Sequence, residues 1–167
     1  MSTVKTAVEM LALCRAYQLS GTSFAERFEP EVLAAVFNGI GPESFPQKLR
    51  DAIDNLASDL MPAAFIHDLR YAYGDGTTAH FSAANAELQS NGYKIADALY
   101  GWWNPRRYLT RRRARTFAAL CQAFGWKPYL DAIKANKKPV ETAADKQKIC
   151  ASSPETTQKP ENEGTMT

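Results

Sequence analysis

The segment AAFIHDLRYAYG, residues 63–74, decides how the rest of the chain is read. Its apolar residues include Phe65, Leu69 and Ala72, spaced by four and three, which is the period of an α-helix and not the alternation of a strand. Into this helix the sequence sets His67 and Asp68 side by side, with Tyr71 four residues after the histidine. His67 and Tyr71 then share a face, and Asp68 is turned by about 100° from His67. The imidazole can take a proton from water near neutral pH. The carboxylate is a hard oxygen ligand of the kind calcium prefers. The same pair also fits a satisfied core histidine beside a surface aspartate, and these two residues alone do not separate the readings.

Working outward, apolar residues recur at spacings of three and four almost everywhere, and no segment reads as a strand. The fold class expected is all-α. A first helix is predicted over residues 4–18. Glu9 and Arg15 interrupt its apolar face, so the N-terminus reads as an amphipathic helix rather than a cleaved signal or a membrane span. The stretch SFAERFEPEVLAAVF, residues 23–37, predicts a second helix, with Glu29 and Pro30 suited to its first turn. Leu49, Ile53 and Leu56 form the core stripe of a third, from about Pro46 to Ala57. A fourth runs over 61–73 and stops at GDGTT, residues 74–78. Ser82 is placed to cap a fifth, from Ala83 to about Trp103, bent near Asn91-Gly92. Pro105 opens a sixth that reaches about Phe124, and a short helix follows over 128–135. No internal repeat is present.

With 45% hydrophobic residues the chain can bury a real core. Twenty basic against eighteen acidic residues, a net charge of +2, imply no global attraction to nucleic acid or membrane. Cys14, Cys121 and Cys150 are odd in number and lack metal-type spacing, which suits a reduced, intracellular protein rather than a disulfide scaffold. From Lys137 the sequence is polar and rich in Thr, Lys, Glu and Pro. It cannot bury enough surface to offset its ordering entropy. One helical domain over 1–136 and a disordered tail over 137–167 are therefore expected.

A second candidate element is FNGIG, residues 37–41. Glycines at alternate positions let backbone fold tightly and bring carbonyls or N–H groups to one point, where carbonyls can act as neutral calcium ligands. Gly39 as a helix C-cap before a turn into Pro42 explains the segment equally well.

Taken together, FNGIG (37–41), HDLRY (67–71) and HFSAANAEL (80–88) resemble, in order, the motifs of the secreted-type phospholipase A2 superfamily. These are a Tyr-x-Gly-x-Gly calcium loop, a His-Asp-x-x-Tyr helix and a second, antiparallel helix carrying an aspartate. The likeness is closest to the disulfide-free parvoviral or phage-like branch, whose second helix opens with Phe-Ser-Ala-Ala-Asp, and it covers residues 37–100. Phe37 stands where the family has tyrosine, and Asn85 where it has aspartate. The stretch between loop and histidine is longer than in the classical enzymes.

The resemblance implies two antiparallel helices flanking a catalytic cleft, beside a glycine-containing calcium loop. It implies His67 as the base that deprotonates the water attacking the sn-2 ester. Asp68 and the carbonyls of Phe37, Gly39 and Gly41 would hold Ca2+, and the Gly39 N–H would help bind the oxyanion. Asn85 would orient His67, with Tyr71 hydrogen-bonded to it. An amide there cannot offset the imidazolium charge, so weak or absent activity is implied. Asp97 lies about 18 Å along the helix from Asn85 and is a poor substitute.

One further segment stands apart. GWWNPRRYLTRRRARTF, residues 101–117, holds six arginines and four aromatics. Arginine with tryptophan suits an anionic phospholipid membrane surface. The same composition suits nucleic-acid phosphates, or a solvated helix face that packs its arginine stems on the domain. Lipid stands before nucleic acid only through the phospholipase likeness. The alternative function is a non-enzymatic helical adaptor, or a nucleic-acid or anionic-surface binding protein using residues 106–115. The location expected is cytoplasmic, or virion-associated if the chain is viral.

Overall fold

The computed structural model describes residues 4–37 and 58–136, and every regular element among them is helical. In chain order these are α1 (Val4–Ala16), α2 (Thr22–Ala25), α3 (Pro30–Val36), a 3-10 turn (Ser58–Leu60), α4 (Met61–Ala72), α5 (Thr78–Leu99), α6 (Pro105–Phe124) and α7 (126–136). All belong to the compact unit of residues 1–136. The expected third helix, Gly39 and Gly41 of the glycine segment, and the expected disordered tail lie outside the described residues.

α4 is the central helix because its sequence is apolar nearly all round. Nine of its twelve residues are buried, among them Phe65, Ile66 and Leu69. Each of these three large side chains contributes about 2 kcal/mol by leaving water. Ala7 and Cys14 of α1 and Leu33 of α3 are buried in the same core cluster, with Leu88 and Ile95 of α5. α1 ends where Leu19 N–H bonds Cys14 C=O and Gln18 N–H bonds Arg15 C=O, each at 3.0 Å. That paired closure leaves Gln18 at a left-handed φ of 50°.

α5 and α6 fold back on each other around the turn at residues 100–104. Contacts between them fall in antiparallel order: Asn85 with Gln122, Gly92 with Ala114, and Asp97 with Arg107. Gly92 is required there, since a Cβ on it would stand 2.4 Å from the Cβ of Ala114.

Three expectations need correction. The second helix is two, α2 and α3, because the N-terminal part ends after Ala25 and Pro30 starts a new helix at its first turn. α5 begins at Thr78, not Ala83. Asp75 accepts from the N–H and hydroxyl of Thr77 at 2.8 and 2.7 Å, and Thr77 in turn caps His80 N–H at 3.1 Å. This early start brings Phe81 into the aromatic cluster with Tyr71 and Tyr129, which a cap at Ser82 would forgo. Finally, α5 runs unbroken through Asn91-Gly92. The Asn91 amide is fully buried and pairs with both backbone groups of Ser20, at 2.8 and 3.0 Å.

Candidate functional site

The long-range partners of α4 set the geometry of its histidine. His67, Tyr71 and Asn85 are all buried, and their polar atoms converge. His67 Nε2 lies 2.9 Å from Asn85 Oδ1, and the Tyr71 hydroxyl donates to the same oxygen at 2.9 Å. The two rings are 4.1 Å apart between centroids. An α-helix puts i and i+4 on one face, so His67 and Tyr71 reach the single α5 residue that faces them both.

The other end of the Asn85 side chain is also fixed. Its Nδ2 donates to Gln122 Oε1 on α6 at 2.9 Å, and Gln122 Nε2 donates to Ser82 Oγ at 3.2 Å. With its nitrogen committed to Gln122, the amide presents its oxygen to His67. An amide oxygen only accepts, so the imidazole must carry its proton on Nε2. Nδ1 is left as the basic nitrogen. It stands 3.8 Å from Asp68 Oδ1, beyond a direct hydrogen bond, and the Asp68 side chain is about a quarter exposed at 26%. Turning both amides over would reverse the chain, set Asn85 Nδ2 against His67 and move the proton to Nδ1. The polarity of the Gln122–Asn85 pair therefore chooses the basic nitrogen.

Tyr71 is a donor here and not a base. Burial pushes its phenol well above the ordinary value, and nearby Cys121 adds to the effect. Cys121 is itself pushed up to about 11, by burial first and by Asp68 second. It is a neutral wall of the site rather than a nucleophile. Gly125, at the end of α6, makes room for the Tyr71 hydroxyl, which would lie 2.6 Å from a Cβ at that position. α7 closes this side: the Tyr129 ring stands edge-on to Tyr71 at 5.2 Å, and its hydroxyl accepts from Gly76 N–H at 3.0 Å.

The structure thus brings His67, Tyr71 and Asn85 together, with Asp68 alongside. Phe37 is buried at the end of α3, its ring edge-on to Phe65 at 5.5 Å, so the chain enters the glycine segment from a point fixed to α4. Asp97 takes no part; it is paired with Arg107 at 2.7 Å and Arg111 at 3.6 Å. Among the described residues no three His, Cys, Asp or Glu side chains form a metal-binding group. Of the proposed calcium ligands, Asp68 supplies a hard oxygen of the right kind, and the others are backbone carbonyls. Gln122 was not anticipated from sequence. The signal that could have found it is positional, since Asn85 and Gln122 each lie four to five helical turns (~14 and ~17 residues) from the turn joining α5 and α6.

Comparison of the chain with family models, with curated proteins and with solved structures gives no match.

Proposed function

We propose that His67, Asn85 and Tyr71 form the centre of a calcium-dependent, phospholipase A2-like hydrolase of low rate, acting on the sn-2 ester of phospholipids at an anionic surface. The observation that carries this reading is the hydrogen bond between His67 Nε2 and Asn85 Oδ1, which leaves Nδ1 basic on the Asp68 side. A general base needs a defined tautomer and a lone pair open to water. In this reading the cleft lies between α4 and α5. His67 Nδ1 takes the proton of the attacking water, and Tyr71 holds Asn85 in place.

Asp68 with the carbonyls of Phe37, Gly39 and Gly41 would hold calcium, and the Gly39 N–H would donate to the oxyanion. Calcium, when bound, supplies positive charge that polarises the ester carbonyl.

The low rate follows from Asn85. Replacing the orienting aspartate by asparagine in a serine-protease triad costs about 10⁴-fold, through the wrong tautomer. Here Gln122 holds the amide nitrogen, so the tautomer is the useful one. What is missing is a counter-charge for the imidazolium.

The test is release of sn-2 fatty acid from anionic vesicles, with calcium and with chelator. Slow, calcium-dependent release by the wild type, abolished in His67→Ala and in Asp68→Ala, is the expected result. Release that survives chelation, or survives loss of His67, would end the proposal.

A further inference from the structure

At the opposite end of the α5–α6 hairpin from His67, the turn at 100–104 exposes what a soluble surface ordinarily covers. Trp102 and Trp103 are 81% and 74% exposed, and Tyr108 is 68% exposed. Leu99 and Leu109 beside them are more than 40% exposed. The turn itself is well fixed. Asn104 N–H bonds Gly101 C=O at 2.9 Å, Asn104 Oδ1 caps Arg106 N–H at 2.9 Å, and the two indoles stand edge-to-face at 5.7 Å. These side chains are presented rather than left over from a loose loop.

The sequence from the turn through α6 carries charge of one sign. No Asp or Glu occurs from Ala98 to Leu130, while six arginines fall between Arg106 and Arg115. Arg107 and Arg111 are ion-paired to Asp97, and Arg111 also stacks over Tyr93. Arg112 and Arg115 are exposed on the outer face of α6, which by helical period also carries Tyr108 and Leu109. Beside the turn opens a cleft of about 310 Å³, lined by Asp59, Tyr100, Arg106, Leu109, Thr110 and Arg113. Tyr100 donates to Asp59 Oδ2 at 2.6 Å in its wall, so that carboxylate is partly satisfied, while two guanidiniums line the same space.

We infer that this tip is an anchor for an anionic phospholipid bilayer, with Trp102 and Trp103 at headgroup depth and the arginines on lipid phosphates. The exposed aliphatic side chains favour a bilayer over a polynucleotide. Indoles and arginines would serve either partner, but the aliphatic Leu99 and Leu109 gain only where hydrocarbon lies beneath the headgroups. The anchor deepens the proposed function by naming the surface contact, yet it stands on its own observations. Asn85 and Leu99 are about 21 Å apart along α5, so the anchor is not the mouth of the His67 site.

The experiment uses the full chain carrying Trp126→Phe, so that the remaining tryptophan emission comes from the tip alone. Vesicles of phosphatidylserine and phosphatidylcholine should shift that emission to the blue and co-sediment the protein. Pure phosphatidylcholine vesicles or high salt should weaken binding at least tenfold. Trp102→Ala/Trp103→Ala should abolish sedimentation at unchanged helicity, and Arg112→Ser should weaken it by about fivefold, the effect of one basic residue at such a surface. Sedimentation that persists in the folded double variant overturns the anchor. So does tighter binding of single-stranded oligothymidylate that depends on the same tryptophans and arginine, which would make the partner a nucleic acid. Fatty-acid release is scored separately, so binding without hydrolysis sinks the enzymatic proposal and leaves the anchor standing.

Discussion

The two ends of the α5–α6 hairpin are built from the same pair of helices and solve opposite problems. At one end Asn85 is 3% exposed and three side chains spend hydrogen bonds on its single amide. At the other, two indoles stand largely in water beside guanidiniums with no nearby acid on their own helix. The first end is ordered by desolvated polar groups that tolerate no vacancy, because a buried donor without an acceptor is costly. The second carries no comparable constraint from the interior. Stability should therefore be concentrated at the His67 end, and surface chemistry at the tip.

Breaking the first end should have the largest effect. Asn85→Leu removes the acceptor of both His67 and Tyr71, and we expect a loss of about 3 kcal/mol in denaturant unfolding. A loss below about 1 kcal/mol would show that the buried chain of amides is dispensable. Gln122→Leu is a finer probe of the same end. It should cost about 1 kcal/mol, and should let Asn85 turn over, so that His67 nitrogen chemical shifts change from an Nε2–H tautomer to a mixture. Gln122→Glu, which can only accept, should keep the wild-type tautomer. A wild-type spectrum already showing Nδ1–H would reverse the assigned polarity.

The alkaline limb sharpens the comparison further. Cys14 is pushed up to about 12 and Cys121 to about 11, in both cases chiefly by burial, and Tyr71 is raised by burial as well. Raised values mean that the folded state favours the neutral forms. Their contribution is complete below the ordinary thiol value of 9.0 and is lost as pH climbs toward 11 and 12. Tm should hold from pH 7 to 9 and fall above it, and Cys121→Ala should blunt the early part of that fall. A Tm that stays level to pH 11 contradicts the burial argument. Smallest of all, Trp102→Ala/Trp103→Ala should change unfolding free energy by less than about 0.5 kcal/mol per residue. A larger loss would mean that the tip packs on the domain.

Much of this was legible in the sequence where a local signal fixed a local outcome. Pro105 after Asn104 starts α6 where expected, and the apolar run of 61–72 makes the central helix. His67 and Tyr71 could be paired from their i, i+4 spacing on one helix, whereas Asn85 was named only through the resemblance of HFSAANAEL to a family motif. Two misreadings were of local signals, the new start at Pro30 and the cap at Thr77, and one arose where distant residues decided the matter. Asn91-Gly92 looks like a break, but Asn91 is buried on Ser20 and Gly92 on Ala114, seventy-one and twenty-two residues away. Gln122 carries no motif at all; it matters only because α6 returns along α5. The arginine-rich segment read as a packed, solvated face, as a lipid surface or as a nucleic-acid surface, and sequence alone could not show that its tryptophans stand exposed.

The most direct test of the catalytic account is Asn85→Asp. A carboxylate at this position can accept from His67 Nε2–H and from the Tyr71 hydroxyl, and Gln122 can turn its amide to donate a third bond. It would keep the tautomer and add the missing counter-charge to the imidazolium, for a gain on the order of 10²-fold, about 3 kcal/mol of barrier. The measurement is initial rate of calcium-dependent sn-2 fatty-acid release from anionic vesicles, wild type against Asn85→Asp at equal bound protein. A gain of that size that disappears with chelator is the predicted result. An equal or lower rate in a folded Asn85→Asp protein would contradict the role assigned to this network.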